Sequence, residues 1–194
     1  MRCRRRLDAG AEQRHRGGVS AHQHLRTATA ASHEEVDAAF GGFDLGDRKS
    51  YGRFLTAHAH VLPAIEAALA DDVALPGIDP RAPLLAEDLA ALALPLPAWS
   101  DVMAPATSAG RFGMLYVIEG SRLGGGMLAR AVGPGLPRAY LSAVHERGGW
   151  RAFGQAVDAA AAEGGADWLD EAVDGARRTF ELYAMAARQE ALPR

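Results

Sequence analysis

Gly113-Met114-Leu115-Tyr116-Val117-Ile118-Glu119-Gly120-Ser121-Arg122-Leu123-Gly124-Gly125-Gly126 is an apolar run that dissolves into glycine, inside a chain otherwise rich in alanine and leucine. At helical spacing Gly113, Val117, Gly120 and Gly124 share one face. Each interior glycine costs a helix about 1 kcal/mol relative to alanine, so a helix that keeps several of them needs a reason. Close approach of the backbone to a flat object is one reason; tight helix packing or a frayed C-terminus is another. A strand running into a phosphate-binding turn is a third reading, because Leu115-Tyr116-Val117-Ile118 passes for a buried strand. It finds no support, since the chain has no Gly-x-Gly-x-x-Gly, no Walker lysine followed by serine or threonine, and no alternation of strand and helix patterns.

The composition around this stretch favours helices. Of the 194 residues 48% are hydrophobic, with alanine foremost, and only 7% are aromatic, which points to an all-α protein with one core. The 21 basic and 24 acidic residues nearly cancel, so nothing points to nucleic acid or to an anionic membrane surface. The single cysteine, Cys3, excludes an internal disulfide and fits a reducing compartment. No apolar run approaches the ~18 residues of a membrane span, and no signal-peptide core follows the arginine-rich start. The expected location is the cytoplasm.

Residues 1–20 carry Arg2, Arg4, Arg5, Arg6, Arg14 and Arg16 with little apolar surface, and read as a disordered basic tail ahead of a helical domain over 21–194. From Ala21 a helical stripe runs through Leu25, Thr29, His33, Val36 and Phe40 to Gly41-Gly42. Asp47 caps a second pattern through Tyr51, Phe54, His58 and Ile65, which Pro63 bends. A proline- and aspartate-rich loop, Asp71 to Pro83, leads to a short helix over 84–92. The glycine stretch belongs to a long helix starting near Trp99 or Thr107 and ending before Gly133-Pro134-Gly135. Patterns over 138–147 and 149–163 follow, and the last helix spans 167–190.

His33 lies on an apolar stripe with Asp37 one turn later on the same side. A metal-binding imidazole needs its other nitrogen held by an acceptor, which Asp37 supplies; the same pattern fits a hydrogen-bonded core histidine. His58 has no acidic residue at i+4 and is the weaker ligand candidate. The helical domain contains no His-Glu-x-x-His and no Glu-x-x-His, and the lone Glu-x-x-His, Glu12 with His15, falls in the tail. An inward histidine on one helix and a glycine-faced helix elsewhere suggest a flat iron-bearing ring held between two helices.

Two segments resemble the haem oxygenase family. Leu25-Arg26-Thr27-Ala28-Thr29-Ala30-Ala31-Ser32-His33 resembles the family's proximal-helix pattern, Leu-basic-x-Ala-Thr-x-x-x-His. Tyr116 to Gly125 resembles the distal-helix segment of the bacterial branch associated with bacteriophytochromes. The resemblance implies haem held between a proximal and a kinked distal helix. It also implies cleavage of haem, at once substrate and cofactor, to biliverdin, carbon monoxide and ferrous iron, using O2 and electrons from an external reductase or ferredoxin. A bacteriophytochrome is the implied acceptor of biliverdin. His33 matches the proximal ligand, Asp37 the acid on its far nitrogen, and Gly120 and Gly124 the distal glycines. Ser121 stands where the well-studied members carry an aspartate that anchors the proton-delivering water, so a haem-binding or haem-sensing protein on the same fold is the alternative. A non-haem metal or organic substrate on a related helical layout is the more distant rival. For the propionates Arg26 matches the family's basic residue, Arg151 is placed by counting back from Phe180, and Arg177 and Arg178 compete. Phe180 resembles an aromatic packed against haem, and equally a core residue.

Overall fold

The computed structural model describes residues 19–98 and 102–192, and among them all regular structure is helical. Nine helices follow in order: α1 (Ala21–Ala28), α2 (Ala30–Phe40), α3 (Arg48–Ala59), α4 (Leu62–Leu69), α5 (Ala82–Ala91), α6 (Ser108–Leu128), α7 (Ala139–Ser142), α8 (Gly149–Glu163) and α9 (Trp168–Ala191). The expected basic tail lies outside the described residues except for Val19 and Ser20, as does Trp99, one of the two expected starts of the long helix.

The helix starts follow from local chemistry. Ser20, Asp47 and Thr107 each accept a hydrogen bond from an amide three residues on, those of Gln23, Ser50 and Gly110, satisfying one orphan donor of α1, α3 and α6. Pro63 and Pro83 sit in the first turns of α4 and α5, where a missing N–H costs nothing. Pro63 therefore begins a new helix after a break at His60 and Val61, where the sequence pattern suggested a bent continuation of the previous one. The long helix ends at Leu128, four residues short of the expected end.

Helix α9 is the spine. It packs most extensively on α6 and also touches α1, α2 and α3. The α6–α9 seam is close enough to demand glycine. A methyl group built on Gly113 would overlap the Ala172 carbonyl, and one on Gly175 would overlap the Gly110 carbonyl. Alanines 172, 176 and 187, all fully buried, continue the seam, so backbone-to-backbone dispersion replaces interdigitated large side chains here. From Ala109 to Ile118 every residue of α6 but Arg111 is buried. Sharing α9 as a common neighbour, α1–α2 and the second half of α6 face each other across a gap.

Candidate functional site

That gap is a cavity of about 760 Å³. Its near wall is α1–α2, its far wall the glycine half of α6, and its floor comes from α3, α7 and α9. The size falls within the range of about 300–1,000 Å³ typical of small-molecule sites. Among the described residues four buried side-chain atoms lack a hydrogen-bond partner, and three of them, His22 Nε2, Arg81 Nε and the Tyr183 hydroxyl, belong to residues lining this one cavity. Orphans concentrated in one place mark a site where a ligand or ordered water completes the bonding.

On the near wall His33 Nδ1 stands 3.0 Å from Asp37 Oδ2. A carboxylate only accepts, so Nδ1 carries the proton and Nε2 keeps its lone pair; Nε2 has no partner among the described residues. Phe180 meets the His33 ring edge-to-face at 5.8 Å. The imidazole is thus oriented from two directions, by a charge one turn along its own helix and by a ring from α9. Just before, Thr29 interrupts the helix: its hydroxyl donates back to the Leu25 carbonyl at 2.7 Å, a bond that bends helices.

The far wall divides the glycines by function. Gly113 belongs to the α9 seam and takes no part in the cavity, contrary to its expected place on a common face with Gly120 and Gly124. A methyl on Gly125 would press on the Leu141 carbonyl at 3.0 Å, so this glycine seats α7. Gly120 and Gly124 line the cavity: a methyl on Gly124 meets nothing within 4 Å, and one on Gly120 meets only Trp150, at 3.5 Å. Ser121 lies between them with its hydroxyl engaged twice, donating to Ile118 O at 2.7 Å and accepting from Arg81 Nη2 at 2.7 Å. The same Nη2 donates to Ile118 O at 2.6 Å. Arg81, only 3% exposed, is held by its backbone, because the buried Glu66 carboxylate accepts from the Arg81 and Ala82 amides at 2.8 and 2.9 Å. Its guanidinium lies over the Tyr140 ring, 5.3 Å from the centroid.

His58 completes the floor among Phe40, Phe54, Tyr140 and Tyr183. Its Nδ1 donates to the Phe54 carbonyl at 2.9 Å, leaving Nε2 as an acceptor. Burial lowers its pKa from 6.5 to about 4, the Arg81 charge adding to the effect and the bond to Phe54 opposing it. The consequence for stability has a definite sign. Between pH 6.5 and about 4 the unfolded chain binds a proton that the folded one does not, so stability falls as pH falls through that window, by about 3 kcal/mol for this one group. Urea unfolding at pH 7 and pH 4.5 should show this loss, and His58→Leu should remove that much of the pH dependence; equal slopes for both proteins would exclude it.

At the open end Arg26 lines the cavity with His22, Tyr116 and Trp150, the His22 ring meeting Tyr116 at 5.9 Å and Trp150 at 5.0 Å. Arg151 is not brought here. Helix α8 turns Trp150, Phe153, Gly154 and Val157 inward, and the 100° step from Trp150 leaves Arg151 exposed and outside the lining. Arg177 donates to the Ala28 carbonyl at 3.1 Å and Arg178 is exposed; neither lines the cavity. Sequence reasoning missed Arg81, Tyr140, Tyr183 and Trp150 as cavity residues. Arg81 carried no local signal, because its partner Ser121 is 40 residues away. No group of three or more metal-binding side chains occurs among the described residues; the single histidines of the cavity are His22, His33 and His58.

No protein-family model matches the chain. A curated protein of Xanthomonas campestris pv. campestris named "Heme oxygenase" is 38% identical over 159 residues, covering 76% of this chain and 94% of its own length. Among solved structures, the NO- and CO-bound heme oxygenase of Neisseria meningitidis superposes with a TM-score of 0.76 at 23% identity, over 89% of this chain and 92% of that one. The structural match shows the fold.

Proposed function

The chain belongs to the haem oxygenase family, and from that premise we propose that it opens the haem ring with O2 and external electrons, releasing biliverdin, carbon monoxide and ferrous iron. The observation that carries this reading is His33, its Nδ1 engaged by Asp37, standing across a cavity from Gly120 and Gly124. A flat macrocycle fits this arrangement, because a Cβ on Gly124 would project into open cavity and none is present.

Each residue then has a task. His33 Nε2 would ligate the iron as a neutral imidazole, with Asp37 fixing its tautomer and ring orientation. Phe180 limits rotation of that ring. Gly120 and Gly124 would keep side-chain bulk away from the opposite face, where backbone and the Ser121–Arg81 pair can approach it. Bound haem supplies the iron that binds O2 and the ring that is cut. Proton delivery falls to the floor. The single proton of the Ser121 hydroxyl is committed to Ile118 O, so Ser121 serves as a strut, and water held by Arg81, the Tyr183 hydroxyl and His58 Nε2 carries protons. Arg26 receives a propionate at the rim.

Electrons come from a reductase or ferredoxin, and the reaction belongs in the cytoplasm. The resemblance of Tyr116 to Gly125 to the bacteriophytochrome-associated branch supports a bacteriophytochrome as the acceptor of biliverdin. Among the described residues no helix is long and apolar enough to cross a membrane.

Haem added to the purified protein tests the proposal in two stages. A histidine-ligated absorption spectrum is expected first, and biliverdin after addition of reductant and O2. Absence of the spectrum rejects haem as the ligand. A spectrum without biliverdin leaves a haem-binding or haem-sensing protein, the reading to which the spent Ser121 proton lends support.

A further inference from the structure

Two consecutive carbonyls of α6 are each gripped by a side chain from another segment. Arg81 Nη2 donates to Ile118 O at 2.6 Å, and His145 Nε2 donates to Glu119 O at 3.0 Å. Arg81 comes from the cavity side; His145 does not line the cavity and comes from the turn between α7 and α8. The next residues are Gly120 and Ser121, and their freedom is limited. Gly120 has no side chain to adjust, and the Ser121 hydroxyl is already engaged twice. Their height above the cavity is therefore set by the backbone just before them, which is where the two grips fall. Side-chain bonds to carbonyls of the helical ladder are a recognised cause of local helix bending.

The turn bearing His145 is itself braced to α6. Arg122, 3% exposed, donates through Nε to both Glu119 carboxylate oxygens at 3.2 and 3.1 Å, through Nη1 to the Ala143 carbonyl at 3.3 Å, and through Nη2 to the Asp79 carbonyl. His145 Nδ1 lies 3.6 Å from Glu119 Oε2, and its ring rests 5.9 Å from Trp150, the one residue near the Cβ position of Gly120. Three chain segments thus converge on one turn of α6.

We propose that His145 is a positioning residue for the oxygen-binding face: by holding the Glu119 carbonyl it sets how closely Gly120 and Ser121 approach a diatomic ligand on the iron. This rests on the haem reading above. Two variants separate the hydrogen bond from packing. His145→Phe keeps a ring against Trp150 and loses the donor, whereas His145→Gln keeps an N–H of similar reach.

With ferrous protein carrying haem and CO, His145→Phe should shift the C–O stretching frequency and lower the rate of biliverdin formation at least about tenfold, in the range seen for partners that orient a site, while His145→Gln stays near wild type. The ferric histidine-ligated spectrum should persist in both. An unchanged C–O frequency and rate in His145→Phe overturn the proposal. So does failure of both variants to fold or to bind haem, which would make His145 a folding residue. Wild-type protein that binds no haem would instead defeat the haem reading itself, before either variant is tested.

Discussion

His33→Ala is expected to abolish both the histidine-ligated spectrum of the haem complex and biliverdin formation. His33 is the only histidine of the near wall whose Nδ1 is paired with a carboxylate, at 3.0 Å from Asp37, and whose Nε2 is unengaged. His58 also keeps its Nε2 free, its Nδ1 being bound to the Phe54 carbonyl, but it sits in the aromatic floor and not on the α1–α2 wall that faces Gly120 and Gly124. The fold should survive the change: the His33 side chain is 62% exposed, so its removal leaves no buried hole. Circular dichroism and thermal unfolding of the haem-free variant should match wild type while resonance Raman loses the iron–histidine band. Asp37→Asn is the graded version. It keeps an acceptor but loses the charge, and a 10–100-fold fall in haem affinity or turnover is the usual cost of such a change. A His33→Ala complex with wild-type bands would transfer the ligand role elsewhere and remove the basis of the proposed chemistry.

The second large effect separates two glycines eleven positions apart. Gly113→Ala drives a methyl group into the Ala172 carbonyl and toward the Ala176 amide, both of which are backbone and unable to swing away. About 3 kcal/mol of destabilisation is expected, at the upper end of overpacking effects, or roughly a 10 °C fall in Tm for a chain of this length. Gly124→Ala adds its methyl where nothing lies within 4 Å and gains up to about 1 kcal/mol of helix propensity. Its stability should hold or rise. Its penalty belongs in the haem complex, where the methyl would take up cavity space facing His33, so ligand binding and turnover should drop while Tm does not. Scanning calorimetry on both variants, with and without haem, reads the two effects apart. Similar Tm values for Gly113→Ala and wild type would contradict the close α6–α9 seam.

The contrast also shows what a sequence can and cannot carry. His33 and Asp37 were legible because their relation is local: four residues on one helix face put a donor and an acceptor together whatever the rest of the chain does. The fold class was legible for the same reason, from composition and stripe. The glycine stretch was legible as a helix with an unusual face, yet periodicity placed Gly113 with Gly120 and Gly124 and could not know that α9 lies on one part of that face and open space on the other. Close packing accounts for Gly113 and Gly125, whereas Gly120 and Gly124 border the cavity, where the ligand-approach reading needs them. Arg151 lies outside the lining because Trp150 takes the inward position of α8, which a count back from Phe180 cannot tell. The polar floor was least legible. Arg81, Tyr140 and Tyr183 come from three elements spread over about a hundred positions, and only the closed chain brings them beside Ser121.

Helix α5, a short helix after a loop in the sequence, ties two parts of the site together. Arg81, at its N-terminal cap, reaches Ser121 and Ile118 of the far wall. Asp88 lies seven residues on, two helical turns and so the same face, and its carboxylate accepts from the Ala139 and Tyr140 amides at 3.0 Å each, fixing the ring on which the Arg81 guanidinium lies. A ten-residue helix therefore acts as a ruler between wall and floor. A single residue inserted or deleted between Arg81 and Asp88 would rotate one anchor by 100° against the other, so the spacing of the two anchors should tolerate no change of length.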